Sequence, residues 1–128
     1  MKREIQFKAK DQSGKWNYGY FVKDFEGNAY ITSLDGQNTS FVIEETLCQR
    51  TGIISKEGFE IYESDFVKVP DDWETYGMNA GEVYEIFFNA GGFRCKPKIN
   101  PNARGIWLED DREFEIVGNI HSNPELIY

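Results

Sequence analysis

Turn-forming clusters recur roughly every ten residues along this chain, and the runs between them alternate apolar with polar side chains, the punctuation of an all-β protein. A strand repeats every two residues, so alternation sorts its side chains onto two faces; a helix would instead need apolar positions three and four apart. Ile5, Phe7 and Ala9 alternate with Gln6, Lys8 and Lys10, which places the apolar three on one face. Asp11-Gln12-Ser13-Gly14-Lys15 turns the chain. Trp16, Tyr18, Tyr20 and Val22 follow at period two, and Glu26-Gly27-Asn28 and Asp35-Gly36-Gln37-Asn38 mark the next turns. Residues 1–55 therefore read as an N-terminal β-meander.

Residues 43–50 are ambiguous: Ile43 and Leu47 suit one helical turn, while Phe41-Val42-Ile43 suits a strand, the reading adopted. Thr51-Gly52 is expected to end it. Lys56-Glu57-Gly58 forms a tight turn before the strand Phe66-Val67-Lys68-Val69, and residues 70–81 form a long polar loop holding Trp73 and Tyr76. Residues 82–88 and 93–96 flank Asn89-Ala90-Gly91-Gly92 as a hairpin. A second long loop covers 97–105, after which 106–108 is expected to pair with 114–117. Five short strands between Phe59 and Ile120 suit a small SH3-like barrel spanning 56–128. The expected fold class is mainly β with little helix, in one domain of 128 residues.

Composition narrows the function classes. Aromatics make up 16% of residues, and since each large ring buries about 150–250 Å², disorder is excluded. Cys48 and Cys95 are the only cysteines, so one chain cannot supply a four-cysteine zinc site, and two reduced thiols are expected. The N-terminus begins an alternating strand rather than a leader, and no apolar run approaches the span of about 20 residues that crosses a bilayer. The net charge of −8 disfavours non-specific nucleic-acid binding, which draws its affinity from phosphate contacts. That charge is segregated: residues 1–23 carry six Lys/Arg against Glu4 and Asp11, whereas residues 57–88 carry nine acids against Lys68. Such blocks either neutralise each other within one fold or pair between molecules.

Four segments carry a family resemblance. Arg3-Glu4-Ile5-Gln6-Phe7-Lys8-Ala9, Gln49-Arg50-Thr51-Gly52-Ile53, residues 58–69, and Gly118-Asn119-Ile120-His121-Ser122-Asn123-Pro124-Glu125-Leu126 together resemble the YopX family of phage and prophage proteins. The chain departs from that pattern at Lys10, where the family usually has tryptophan, and at Ser64, where it usually has glycine before an aspartate. Without glycine, Ser64 must accept strain or close its turn differently. The resemblance implies a phage or prophage gene product in a bacterial host cytoplasm, assembling as a homo-oligomer. It carries over no catalytic motif and no cofactor.

Among candidate sites, Arg94, Lys96 and Lys98 share one strand face and form a basic ridge, with Arg104 in the same cationic stretch. The ridge serves either to protect a sheet edge or to bind an anion or partner. Trp73 and Tyr76 in the long loop complete the candidate binding set. Trp16, Tyr18 and Tyr20 could stack bases, but a core-facing stripe is the commoner use of such a pattern. His121, the single histidine, reads as a turn residue; Asp65 reads as a backbone acceptor at a turn; the acids between Glu109 and Glu115 lack the order of a calcium loop. No catalytic or metal residue is assigned. The favoured function is a non-enzymatic phage accessory protein that binds a host or phage macromolecule, a protein rather than nucleic acid, through its acidic surface or basic ridge, or assembles with itself; the alternative is a small metal-dependent hydrolase or nuclease using Asp and Glu.

Overall fold

Four turns of the protein share one design. The carbonyls of Asp11, Asp24, Ser33 and Ser55 each accept the N–H of a glycine three residues on, at 3.0 Å from Gly14, 3.1 Å from Gly27, 2.8 Å from Gly36 and 3.0 Å from Gly58. Each glycine holds φ between 75° and 91°, the left-handed conformation that closes a type I turn with a bulge. In the first two turns the aspartate also accepts backbone N–H groups: Asp11 Oδ1 from Ser13 (2.9 Å) and Lys15 (3.1 Å), and Asp24 Oδ1 from Glu26 (3.0 Å) and Asn28 (2.8 Å). The turns fall where the sequence places them, and they fix the register of the strands between.

This computed structural model describes residues 5–68, 82–89, 92–97, 106–107 and 114–122, and the chain divides into two compact units, Met1–Arg50 and Thr51–Tyr128. It is mainly β, as expected. The first unit contains β1 (Phe7–Lys10), β2 (Trp16–Lys23), β3 (Ala29–Thr32), β4 (Thr39–Phe41), one 3-10 turn (Glu44–Thr46) and the start of β5 (Cys48–Ile54). Its antiparallel sheet runs in the order β4-β3-β2-β1-β5, so the expected meander is present. The ambiguous stretch resolves into both readings, a single helical turn followed by a strand. Thr51-Gly52 does not end that strand: β5 continues to Ile54, with Gly52 absorbing a φ of +86° inside it.

The core of this unit is Ala9, Ala29, Ile31 and Val42, with Phe7, Phe21 and Leu47 packed against them. Phe7 and Phe21 meet with ring centroids 5.9 Å apart. Ile5 departs from the expected apolar face: it precedes β1 and is exposed, while Gln6 and Lys8 are buried. Strand β2 changes partner at Gly19: residues up to Gly19 pair with β1 and residues from Tyr20 onward pair with β3. A Cβ placed on Gly19 would lie 2.0 Å from the Thr32 carbonyl oxygen, so only glycine lets the two backbones approach this closely.

The second unit contains β6 (Glu60–Tyr62), β7 (Asp65–Lys68), β8 (Val83–Asn89), β9 (Gly92–Pro97), β10 (Ile106–Trp107) and β11 (Glu115–Asn119). Strands β7 to β11 form a five-stranded antiparallel sheet in the order β10-β9-β8-β7-β11. The hairpin between β8 and β9 is as expected, with Asn89 opposite Gly92. Among the described residues, the expected pairing of 106–108 with 114–117 is not found. Strand β10 pairs with β9 and β11 returns to β7, at the opposite side of the sheet order, with an irregularity between Ile116 and Gly118. The core here is Ile61, Val67, Tyr84, Ile86, Cys95 and Phe114, and burying each large apolar side chain contributes about 1.5–3 kcal/mol. Cys48 and Cys95 are both buried and unlinked.

Candidate binding surface

The face that β2 turns outward is the aromatic one. Tyr18, Tyr20 and Val22 are 53%, 40% and 47% exposed, and Trp16 is half-buried. The expectation of a core-facing stripe is therefore corrected. The reason lies in register: the turn at Asp11 sets Lys10 opposite Trp16 and Lys8 opposite Tyr18, so whichever face takes the aromatics also takes both lysines. With Ala9, Gly19 and Phe21 inward, Lys10 stays partly exposed, and Lys8, though buried, lies against the Trp16 ring rather than among the apolar core residues.

The same parity extends across the sheet. Tyr20 stands opposite Thr32, Val22 opposite Tyr30, and Tyr30 opposite Phe41, itself 48% exposed. Tyr30 and Phe41 meet edge to face at 5.3 Å, and Thr32 and Thr39 share a hydroxyl hydrogen bond of 3.1 Å. At one end the ammonium groups of Lys8 and Lys10 lie 4.5 Å and 5.3 Å from the Trp16 ring centroid, within cation–π range. At the other end Tyr30 donates its hydroxyl to Asp24 Oδ2 at 3.3 Å. Hydrogen bonds centred on Asn28 hold the Asp24 carboxyl below the usual carboxylate range. The surface is thus a band of exposed aromatic groups, cationic at one end and anionic at the other.

The basic ridge is only half described. Arg94 and Lys96 alternate with buried Phe93 and Cys95, as the sequence implies. Their strand is not an edge, however: β9 lies between β8 and β10, so protection of an exposed sheet edge is not the use of these cations. Lys96 stands opposite Glu85 and its Nζ is 4.9 Å from the Phe87 ring centroid. Lys98, Arg104, Trp73, Tyr76 and the acids between 109 and 113 lie outside the described residues.

Asp65 is structural. It is 2% exposed; Oδ2 accepts the Tyr62 N–H at 2.8 Å and Oδ1 accepts Asn119 Nδ2 at 2.9 Å. His121 lies in the terminal turn, where its backbone N–H donates to Asn119 Oδ1 at 2.8 Å. Among the described residues no group of three or more His, Cys, Asp or Glu is placed to hold a metal ion, and no helix is long and apolar enough to cross a membrane.

The chain matches the family model of the YopX protein over residues 2–128 and belongs to that family. Among solved structures, it resembles the crystal structure of protein EF1440 from Enterococcus faecalis with a TM-score of 0.59 and 20% identity, over 98% of this chain and 99% of that one. At that identity the likeness concerns the fold. No curated protein matches.

Proposed function

We propose that this YopX family member is a non-enzymatic accessory protein of phage or prophage origin, acting in a bacterial host cytoplasm by binding a macromolecule and by assembling with copies of itself. The observation that carries the reading is the outward aromatic face of β2 to β4. Isolated exposed apolar residues are ordinary, but contiguous aromatic ones on one sheet face mark a contact surface. The strand order of the second unit, a meander whose last strand returns beside the first, supports an SH3-like barrel as its scaffold. Asp65, read from the sequence as a turn acceptor, accepts two hydrogen bonds from the fold.

Self-assembly is supported by charge segregation, with nine acids against one lysine in residues 57–88 and a cationic face at Arg94 and Lys96. Light scattering at micromolar concentration and physiological salt tests it: a discrete multiple of the 14.9 kDa chain is expected, reduced by Arg94→Glu with Lys96→Glu. The mass of a single chain would remove the self-assembly. The contact surface is tested separately. A folded Tyr18→Ser, Tyr20→Ser protein is expected to lose partners that the wild type retains from host extract, and unchanged capture would set the face aside.

A further inference from the structure

Strands β1 to β4 contain no aspartate or glutamate; their charged residues are Lys8, Lys10 and Lys23. The acids between residues 11 and 45 lie outside these strands, in turns at Asp11, Asp24, Glu26 and Asp35 and in the 3-10 turn at Glu44 and Glu45. Residues 1–50 hold seven Lys/Arg and seven Asp/Glu, so the net −8 belongs wholly to residues 51–128. The overall charge that disfavours nucleic acid is therefore not a property of the aromatic face. At physiological salt a charge acts over about 8 Å, so local cations govern attraction there.

We propose that this face binds single-stranded nucleic acid, with bases stacked on Tyr18 and Tyr20 and the phosphate backbone drawn towards Lys10. The proposal rests on the reading of the face as a contact surface and names its occupant. Tyr18 and Tyr20 are two residues apart on one strand, about 7 Å along it, and each presents an exposed ring. Every base has a π-face, so stacking on such rings tolerates any sequence. Exposed aromatics on an antiparallel sheet are a platform on which RNA-binding domains stack two or three bases. Trp16 has a different part: the Lys8 and Lys10 ammonium groups lie over its ring and are held at the edge of the platform. A protein or peptide could use the same rings, but the acid-free strands β1 to β4, with cations at one end, favour a ligand carrying both planar rings and negative charge. The Asp24 carboxylate at one turn and the Asp11 carboxylate in the turn beside Lys10 both repel phosphate, so the strand should lie over Tyr18 and Tyr20 and stop short of both turns. With few cations, affinity should be modest and the salt dependence shallow. A duplex keeps its bases stacked inside and should not bind.

The test is fluorescence anisotropy with labelled oligo-dT and oligo-U about twelve nucleotides long, at about 50 and about 200 mM salt. Both single strands are expected to bind and the matching duplex is not. Tyr18→Ala and Tyr20→Ala should each weaken binding about five- to a hundredfold, with the phenylalanine variants close to wild type. Lys10→Ala should flatten the salt slope by about one, and Thr32→Lys, opposite Tyr20, should tighten binding. Circular dichroism confirms that each variant is folded. No anisotropy change at the lower salt, equal binding of duplex or inorganic polyphosphate, or full binding by a folded Tyr18→Ala, Tyr20→Ala protein would each overturn the proposal. If oligonucleotides fail to bind while the Tyr18→Ser, Tyr20→Ser protein still loses partners from host extract, the contact-surface reading survives and its occupant is a protein.

Discussion

Asn119 donates its side-chain amide to the Asp65 carboxylate at 2.9 Å, with both residues buried and 54 positions apart in sequence. Alongside it, Ile120 N–H donates to the Ser64 carbonyl at 2.9 Å, and the β7–β11 register sets Asn119 opposite Asp65. Two of the four family segments, 58–69 and 118–126, thus meet in one hydrogen-bonded seam. Within the described residues, the two segments are tied to each other by buried hydrogen bonds of the second unit. Asn119→Ala removes the donor and leaves a buried carboxylate short of a partner, a loss of about 2 kcal/mol; Asp65→Ala should cost about 3 kcal/mol, since Tyr62 N–H and Asn119 both lose their acceptor. Chemical denaturation of the two variants checks the order.

Ser64 is the single described non-glycine residue with positive φ, at +73°. The turn between β6 and β7 is thus closed by accepted strain, at the position where the family usually has glycine. Its N–H donates to the Ile86 carbonyl at 2.7 Å, so the conformation is held by the sheet rather than by the side chain. Ser64→Gly relieves the steric cost of the left-handed conformation at the expense of a more flexible unfolded chain. The net stabilisation should be about 1 kcal/mol, read as a higher denaturant midpoint at unchanged slope.

The hairpins were legible because Asp-x-x-Gly and Ser-x-x-Gly clusters carry their geometry locally. What was not legible was which face β2 buries. On β2 alone, Trp16, Tyr18, Tyr20 and Val22 form the more apolar set, and burying them is the natural reading. The register across the Asp11 turn ties that set to Lys8 and Lys10, and this pairing turns it away from the apolar core. The return of β11 to β7 is a non-local contact that no spacing announces, so it displaces the nearer pairing of 106–108 with 114–117 that the sequence suggests. Likewise, β9 reads as an edge until β10 is known to flank it.

The Asp11 turn has a defined pH response. Hydrogen bonds from the Ser13 hydroxyl, the Asn17 amide and the backbone of Lys15 and Ser13 lower its carboxyl from 3.8 to about 2. A depressed folded-state value means the stabilisation is present above 3.8, the unfolded value, and is lost as pH falls through the window down to about 2. Carbon-detected NMR titration should show the Asp11 carboxyl titrating at the bottom of that range. Ser13→Ala, which removes the first of these donors, should move its midpoint up towards the ordinary value; a midpoint unchanged by that substitution would separate the turn from the shift.

Gly19 offers the sharpest stability test, because the aromatic face depends on it. A methyl group there would lie 2.0 Å from the Thr32 carbonyl oxygen, 2.8 Å from the Thr32 carbonyl carbon and 3.1 Å from the Ser33 Cα, all backbone atoms that no rotamer change can move. The φ of +153° adds strain for any L side chain. Gly19→Ala must therefore separate β2 from β3 where β2 exchanges partners, and a loss of about 3 kcal/mol is expected, roughly 10 °C in melting temperature. The adjacent pairs of Tyr20 with Thr32 and Phe21 with Ile31 should open first, seen as faster amide exchange on β2 and β3 than on β7 and β8. Wild-type stability in Gly19→Ala, or uniform loss of protection over both units, would show that the close approach does not fix the sheet that carries the face.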